Sequence, residues 1–245
     1  MEQKIKFKKE YKIELAKTLS GHYYGVWEKK GRKEKFLGYF VSVTTFLNAY
    51  PTSEYLTKWI ADRGFHESRQ IRDEAGRKGT KIHLALQDLI EGKELYEANY
   101  LTEEWVKINS FVNWYHEYKP EIIAIELKIF SPKNKYCGTI DCIAKISEKI
   151  YVIDWKSSQS IHPSFSLQCS AYSQALEEIS NLKVDETAVL QLGAKNKQNY
   201  RFVIYPDWRD HFKIFMNVKA TWEYDNGVDK DFEPPVLILP ETLKL

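Results

Sequence analysis

Cysteine is scarce in this chain: 245 residues carry three, Cys137, Cys142 and Cys169. The number is odd and no pair has C-x-x-C spacing, which argues against a disulfide framework and against a zinc or iron–sulfur centre held by thiolates. No apolar run approaches the roughly 20 residues that span a bilayer. The opening Met1-Glu-Gln-Lys-Ile-Lys carries charge where a secretory signal is apolar. These absences lead us to expect an intracellular protein, cytoplasmic in a bacterial or phage-infected cell, with no membrane partner. No Pro/Gly/Ser-rich linker, internal repeat or low-complexity segment divides the chain, so a single domain over 1–245 is expected. Within it we read an N-terminal hairpin region (1–50), a helical part (51–120), a core (121–225) and an extended tail (226–245).

Net charge is also nearly absent, +2 from 36 Lys/Arg and 34 Asp/Glu. It is unevenly spread, since residues 1–35 hold eleven Lys/Arg against five Asp/Glu. A basic flank of this kind suits a phosphate backbone, and it equally suits the solvated surface of a hairpin. Lys29, Lys30, Arg32, Lys33 and Lys35 surround Gly31 and read as the hairpin tip between Tyr23–Trp27 and Phe36–Val43. Tyr23, Tyr24, Trp27 and Phe36 are either hairpin core or rings on which bases stack.

What the chain does have is 43% hydrophobic and 14% aromatic residues, enough for a substantial core. From Thr44 to Tyr118 the pattern is helical. Ser53 and Thr102 are candidate caps, the second for a helix through Tyr118 that Pro120 stops. Between them a helix from about Glu67 to Glu91 ends at Gly92, with Ile82, Leu86, Leu89 and Ile90 as its apolar stripe. Strands follow over Ile122–Phe130, Cys137–Ile146 and Ile150–Lys156, then a helix over Ser164–Ile179, strands over Thr187–Leu192 and Tyr200–Tyr205, and a helix over Trp208–Tyr224. The order predicts an α/β fold with a central mixed sheet flanked by helices.

Chemistry concentrates in the second half. Alternation along a strand sets Asp154 and Lys156 on one face with Val152, and Tyr151, Ile153 and Trp155 on the other. Alone, such an Asp-x-Lys reads as an ion pair at a strand end. Gly138-Thr-Ile-Asp141 adds a second carboxylate on the neighbouring strand, and Glu126 offers a third. Oxygen ligands grouped this way suit a hard divalent cation beside a phosphodiester. Upstream, Gly76 and Gly79 share a helical face with His83 and Gln87. Each glycine costs about 1 kcal/mol against alanine in a helix, which suggests a close approach to that face. Gln168 and Tyr172, four apart, share a face of the helix after the Asp-x-Lys strand, either as a polar edge or as support for the site.

Taken in order, Gly79-Thr-Lys-Ile-His83, Glu126, Gly138-Thr-Ile-Asp141, Asp154-Trp-Lys156 and Gln168-x-x-x-Tyr172 resemble the PD-(D/E)XK nuclease superfamily in its RecB-like and Cas4-like branch. The resemblance covers about residues 75–176. Ser42-Val-Thr-Thr together with Trp59 is similar to the subgroup of the mitochondrial genome maintenance exonuclease and related phage nucleases. The resemblance implies a restriction-endonuclease-like core in which His83, Asp141, Asp154 and the Trp155 carbonyl bind Mg²⁺ or Mn²⁺. It implies that Glu126 acts on the metal directly or through water, and that Lys156 orients or helps deprotonate the attacking water. Gln168 and Tyr172 would support the site and contact DNA. The implied activity is a DNA exonuclease of replication, recombination or repair, acting on single strands or free duplex ends. An endonuclease of the same superfamily and a catalytically inactive nucleic-acid-binding module are the alternatives. The four cysteines that hold an iron–sulfur cluster in many Cas4-like members are not matched, so no cluster is expected.

Overall fold

A computed structural model describes residues 5–16 and 22–227. Eight strands form one sheet: β1 (Glu10–Ala16), β2 (Tyr23–Lys30), β3 (Lys33–Ser42), β4 (Glu121–Ser131), β5 (Tyr136–Ile146), β6 (Lys149–Lys156), β7 (Glu186–Leu192) and β8 (Tyr200–Tyr205). The helices are α1 (Val43–Phe46), α2 (Glu54–Arg63), α3 (Phe65–Ile90), α4 (Thr102–Tyr118), α5 (Ser164–Ile179) and α6 (Trp208–Asp225). The sheet is mixed and flanked by helices, with order β1-β2-β3-β5-β6-β7-β8 and β4 paired to β5. β3/β5 and β6/β7 are parallel and the other pairs antiparallel. The N-terminal hairpin is therefore continuous with the rest of the sheet.

β5 organises this arrangement because one of its edges serves two partners. β4 runs along its other edge, from Tyr136 to Lys145. On the shared edge β3 pairs with Tyr136 and Cys137, and β6 pairs with Cys142 to Ile146. The sheet forks between those two contacts.

Two apolar cores lie on its two faces. One joins β2–β6 to α5 and α6 through Val26, Phe40, Phe130, Ile140, Val152, Leu176 and Phe215. The other packs the C-terminal half of α3 and all of α4 against Cys142, Ile153, Trp155 and Leu190, through Ile82, Leu86, Ile108, Phe111 and Trp114.

Local chemistry accounts for several element ends. The Ser53 side chain accepts from the Leu56 N–H at 3.2 Å and starts α2, as expected. For α4 the sequence expectation needs correction. Thr102 lies inside the helix and Leu101 is the capping residue, its N–H donating to Glu104 Oε2 at 2.9 Å. A glutamate at the third helical position satisfies a backbone donor there, so a capping hydroxyl is not needed. Ser147 and Glu148, both at positive φ, make the two-residue β5–β6 turn whose twist suits a hairpin.

β1 has no counterpart in the sequence reading. Its alternation of Tyr11 and Ile13 with charged residues is strand-like, and those two side chains pack on the α5-side core. Of the four candidate stacking rings, Tyr23 and Tyr24 are buried in that core, whereas Phe36 is exposed and Trp27 partly so. Among the described residues no helix is long and apolar enough to cross a membrane. The expected tail lies outside the described residues beyond Gly227.

Candidate metal centre

The site sits at the fork. The β5–β6 ladder begins at Cys142 and Ile153, and one step beyond stand Asp141 and Asp154. There the strands part, and the Trp155 N–H donates to Asp141 Oδ2 at 2.8 Å instead of to a backbone carbonyl. Across β5, Glu126 stands opposite Asp141 with φ 48°, a left-handed conformation that non-glycine residues rarely adopt. The strands turn over at this point. Ile125 and Cys142 pack into the α4-side core, whereas Leu127 and Ile140, two residues away, pack into the α5-side core. A regular strand would keep such pairs on one face. The reversal brings the Glu126 and Asp141 carboxylates together at the gap.

α3 supplies the third group. His83 Nε2 lies 3.0 Å from the Trp155 carbonyl oxygen, and Nδ1 lies 3.8 Å from Asp141 Oδ1. The imidazole also meets the Trp155 indole edge-on, with ring centroids 5.7 Å apart. One ligand atom from each of His83, Glu126 and Asp141 lies within 4.8 Å of the others. The glycines that prompted attention to this helix face the same cavity but differ. A Cβ on Gly79 would stand 3.3 Å from Ser157 Oγ, whereas one on Gly76 would meet nothing within 4 Å. The close approach is thus between Gly79 and the segment following β6.

Asp154 lies outside that trio, in a more enclosed setting. It is 1% exposed, and its Oδ1 accepts from Gln168 Nε2 at 2.8 Å. Its Oδ2 is 2.6 Å from Lys156 Nζ, a close and buried ion pair. Gln168 Nε2 also donates to Tyr172 Oη at 3.1 Å, and Gln168 Oε1 accepts from Lys156 Nζ at 3.3 Å. One amide therefore holds Asp154, Lys156 and Tyr172 in register. Gly138 makes room for this cluster, since a Cβ there would come within 2.3 Å of Tyr172 Cε1.

Burial dominates the electrostatics. It raises the Asp154 carboxyl to about 6, against the opposing pull of Lys156 and with added repulsion from Asp141. Burial likewise raises Asp141, opposed by His83 and Lys156. It raises Glu126, opposed by His83 and by a hydrogen bond from Gln87. For Lys156 burial acts downward, but the Asp154 and Asp141 carboxylates outweigh it and its pKa rises. Lys156 is thus an ammonium at neutral pH, and burial keeps Tyr172 a neutral phenol.

These donors suit a hard divalent cation on two grounds. The set is oxygen-rich with one imidazole. It also includes two carboxyls, Asp141 and Asp154, that burial pushes above their ordinary pKa, so that a cation between them would offset the cost of holding their charge away from water. His83, Glu126, Asp141, Asp154 and the Trp155 carbonyl are the groups that could hold one. They line a cavity of 1070 Å³ that also takes in Lys156, Gln168 and Tyr172. Sequence reasoning missed other lining residues, among them His22, Thr44, Lys107 and Thr139. Thr44 and Thr139 lie within motifs already singled out, Ser42-Val-Thr-Thr and Gly138-Thr-Ile-Asp141, whereas nothing in the local sequence marks His22 or Lys107. In comparisons with known proteins, no family model and no curated protein matches the chain.

Proposed function

We propose that this chain is a metal-dependent deoxyribonuclease with a restriction-endonuclease-like core of the PD-(D/E)XK type, acting as an exonuclease on single-stranded DNA or free duplex ends. One observation carries the reading. Asp141 and Asp154 leave the same ladder side by side, with a charged Lys156 2.6 Å from Asp154 and an imidazole reaching in from α3. An ion pair serving stability alone would not need a second carboxylate or a third at strained φ.

In this reading His83, Glu126, Asp141, Asp154 and the Trp155 carbonyl hold Mg²⁺ or Mn²⁺. When bound, such a cation lowers the pKa of a coordinated water and neutralises charge on the phosphate. Lys156 remains protonated, so its part is to orient the attacking water and to stabilise the negative charge that develops on phosphorus oxygens. Gln168 fixes the lysine relative to Asp154, and Tyr172 holds Gln168. Attack in line with the departing 3′ oxygen leaves a 5′ phosphate.

The test is incubation with Mg²⁺ or Mn²⁺ and end-labelled linear single-stranded, linear duplex and circular DNA, beside Lys156→Ala and an EDTA control. Loss of linear DNA alone, abolished by EDTA and by the substitution, supports the exonuclease. Cutting of circles moves the assignment to an endonuclease. Absence of cleavage by the folded protein with metal present rejects a nuclease acting alone.

A further inference from the structure

Lys107 differs from the other lysines around the cavity in having no counter-charge. Lys78 pairs with Glu74 at 2.8 Å and with Glu103 at 2.7 Å, and Lys81 pairs with Glu104 at 2.6 Å. Glu103, one turn before Lys107 on α4, is therefore already taken. Deeper in, Lys156 is paired with Asp154. Lys107 lines the same cavity and is only partly exposed, yet it makes no ion pair among the described residues.

A lysine without a partner ordinarily keeps its flexible four-carbon stem free in solvent. This one is held at both backbone and stem. The buried Ser110 hydroxyl donates to the Lys107 carbonyl at 2.7 Å and accepts from the Gly193 N–H at 3.1 Å, so one side chain ties this turn of α4 to the end of β7. The stem then lies across Gly193, where a Cβ would come within 2.9 Å of Lys107 Cγ and 3.4 Å of its Cε. Strand register sets this contact beside the metal centre. β6 and β7 run parallel with Lys156 opposite Gln191, and Gly193 follows two residues later, about 7 Å at strand spacing. Gln191 Nε2 donates to the Ser158 carbonyl at 3.0 Å, which keeps the segment after Lys156 against the same strand.

We propose that Lys107 anchors the bound strand by holding a phosphate that neighbours the one cut. Lys156 is committed to Asp154 and to the reacting phosphate, so fixing the register of the strand needs a second cation outside the centre. A lysine ammonium acts on phosphate as a point charge and carries no sequence information. An ammonium held in place without a counter-ion meets that need, because its stem is ordered before the strand arrives. That the anion belongs to a nucleic acid rests on the nuclease reading, whereas the anchoring itself does not depend on cleavage.

Fluorescence anisotropy in EDTA, with labelled single-stranded 20-mers of deoxythymidylate and of mixed sequence, reads binding without cleavage. Lys107→Gln is expected to weaken both strands equally and to lower the slope of log affinity against log salt by about 0.7 to 1, the share of one phosphate. Lys107→Arg should keep the wild-type slope, as should Lys133→Gln on the β4–β5 turn outside the cavity. With Mn²⁺, Lys107→Gln should raise KM and leave kcat near the wild-type value, as for a contact made equally before and during the reaction. Thermal melts establish that each variant is folded. A folded Lys107→Gln variant with the wild-type slope, or a wild-type chain that binds neither strand, overturns the proposal. Cleavage by that variant at the wild-type KM removes the anchor and leaves the nuclease standing. Binding through Lys107 by a wild-type chain that never cleaves keeps the anchor and rejects a nuclease acting alone.

Discussion

Asp141 and Asp154 begin from equivalent positions, one step past the same rung of the β5–β6 ladder, and end in unlike surroundings. Asp141 opens toward the cavity, within reach of His83 and Glu126, with one oxygen steadied by a backbone N–H. Asp154 is enclosed and tied to an amide and an ammonium. The contrast teaches that two copies of one residue type divide the work through environment alone. In the proposed nuclease the Asp141 side would hold a cation and the Asp154 side would couple it to the charged Lys156.

The largest effect that can break this division comes from exchanging losses between the two sides. Asp141→Ala is expected to abolish both cleavage and the rise in Tm produced by Mn²⁺. Lys156→Ala is expected to lower cleavage about 100- to 1000-fold at saturating Mn²⁺, as for loss of one charge-stabilising donor, while the Mn²⁺-induced rise in Tm survives. If both variants lost the rise, the two sides would be one unit. A smaller loss, about 10- to 100-fold, is expected for Gln168→Ala, since the amide acts only through its neighbours. It should appear in kcat and leave KM for DNA near the wild-type value.

The pH dependence sharpens the comparison further. Asp154 titrates near 6 in the folded chain, above the unfolded value of about 3.9. Its contribution to metal-free stability is therefore present below about pH 4 and lost as pH rises through 6. A cation reverses that loss, because it binds the deprotonated form. The Mn²⁺-induced gain in Tm should be larger at pH 7.5 than at pH 5, with affinity falling up to about tenfold per pH unit below 6. An equal gain at both pH values would separate Asp154 from the metal. The smallest effect concerns packing: Gly138→Ala should cost about 1–3 kcal/mol in denaturant unfolding as its methyl displaces the Tyr172 ring.

Much of this arrangement was legible in the sequence. Alternation along β6 correctly separated Asp154 from Trp155, and helical spacing correctly set Gly79, His83 and Gln87 on one side of α3, because both signals follow from backbone periodicity alone. The bounds of α5 and β8 agree with the residue patterns that predicted them. What was not legible is where periodicity breaks. No glycine marks the reversal at Glu126, so its pairing with His83 and Asp141 could not be counted out along β4. The extra residue Leu37, between Gly38 paired to Val26 and Phe36 paired to Trp27, interrupts the alternation of β3. The sequence therefore could not say that Phe36 and Tyr39, three residues apart, come to lie side by side.

The fork in the sheet has a consequence for motion. Between Cys137, the last β5 residue paired to β3, and Cys142, the first paired to β6, four residues of β5 have no ladder partner on that edge. Sheets resist opening through contiguous rungs, so across this gap the two halves are joined only through β5 and through the core that α5 and α6 cover. Amide hydrogen exchange should therefore be fast at those alternate residues of Gly138–Asp141 whose N–H faces the open edge and slow at those that face β4. The carboxylates thus stand where the sheet is held by β4 on one edge and by core packing instead of rungs on the other.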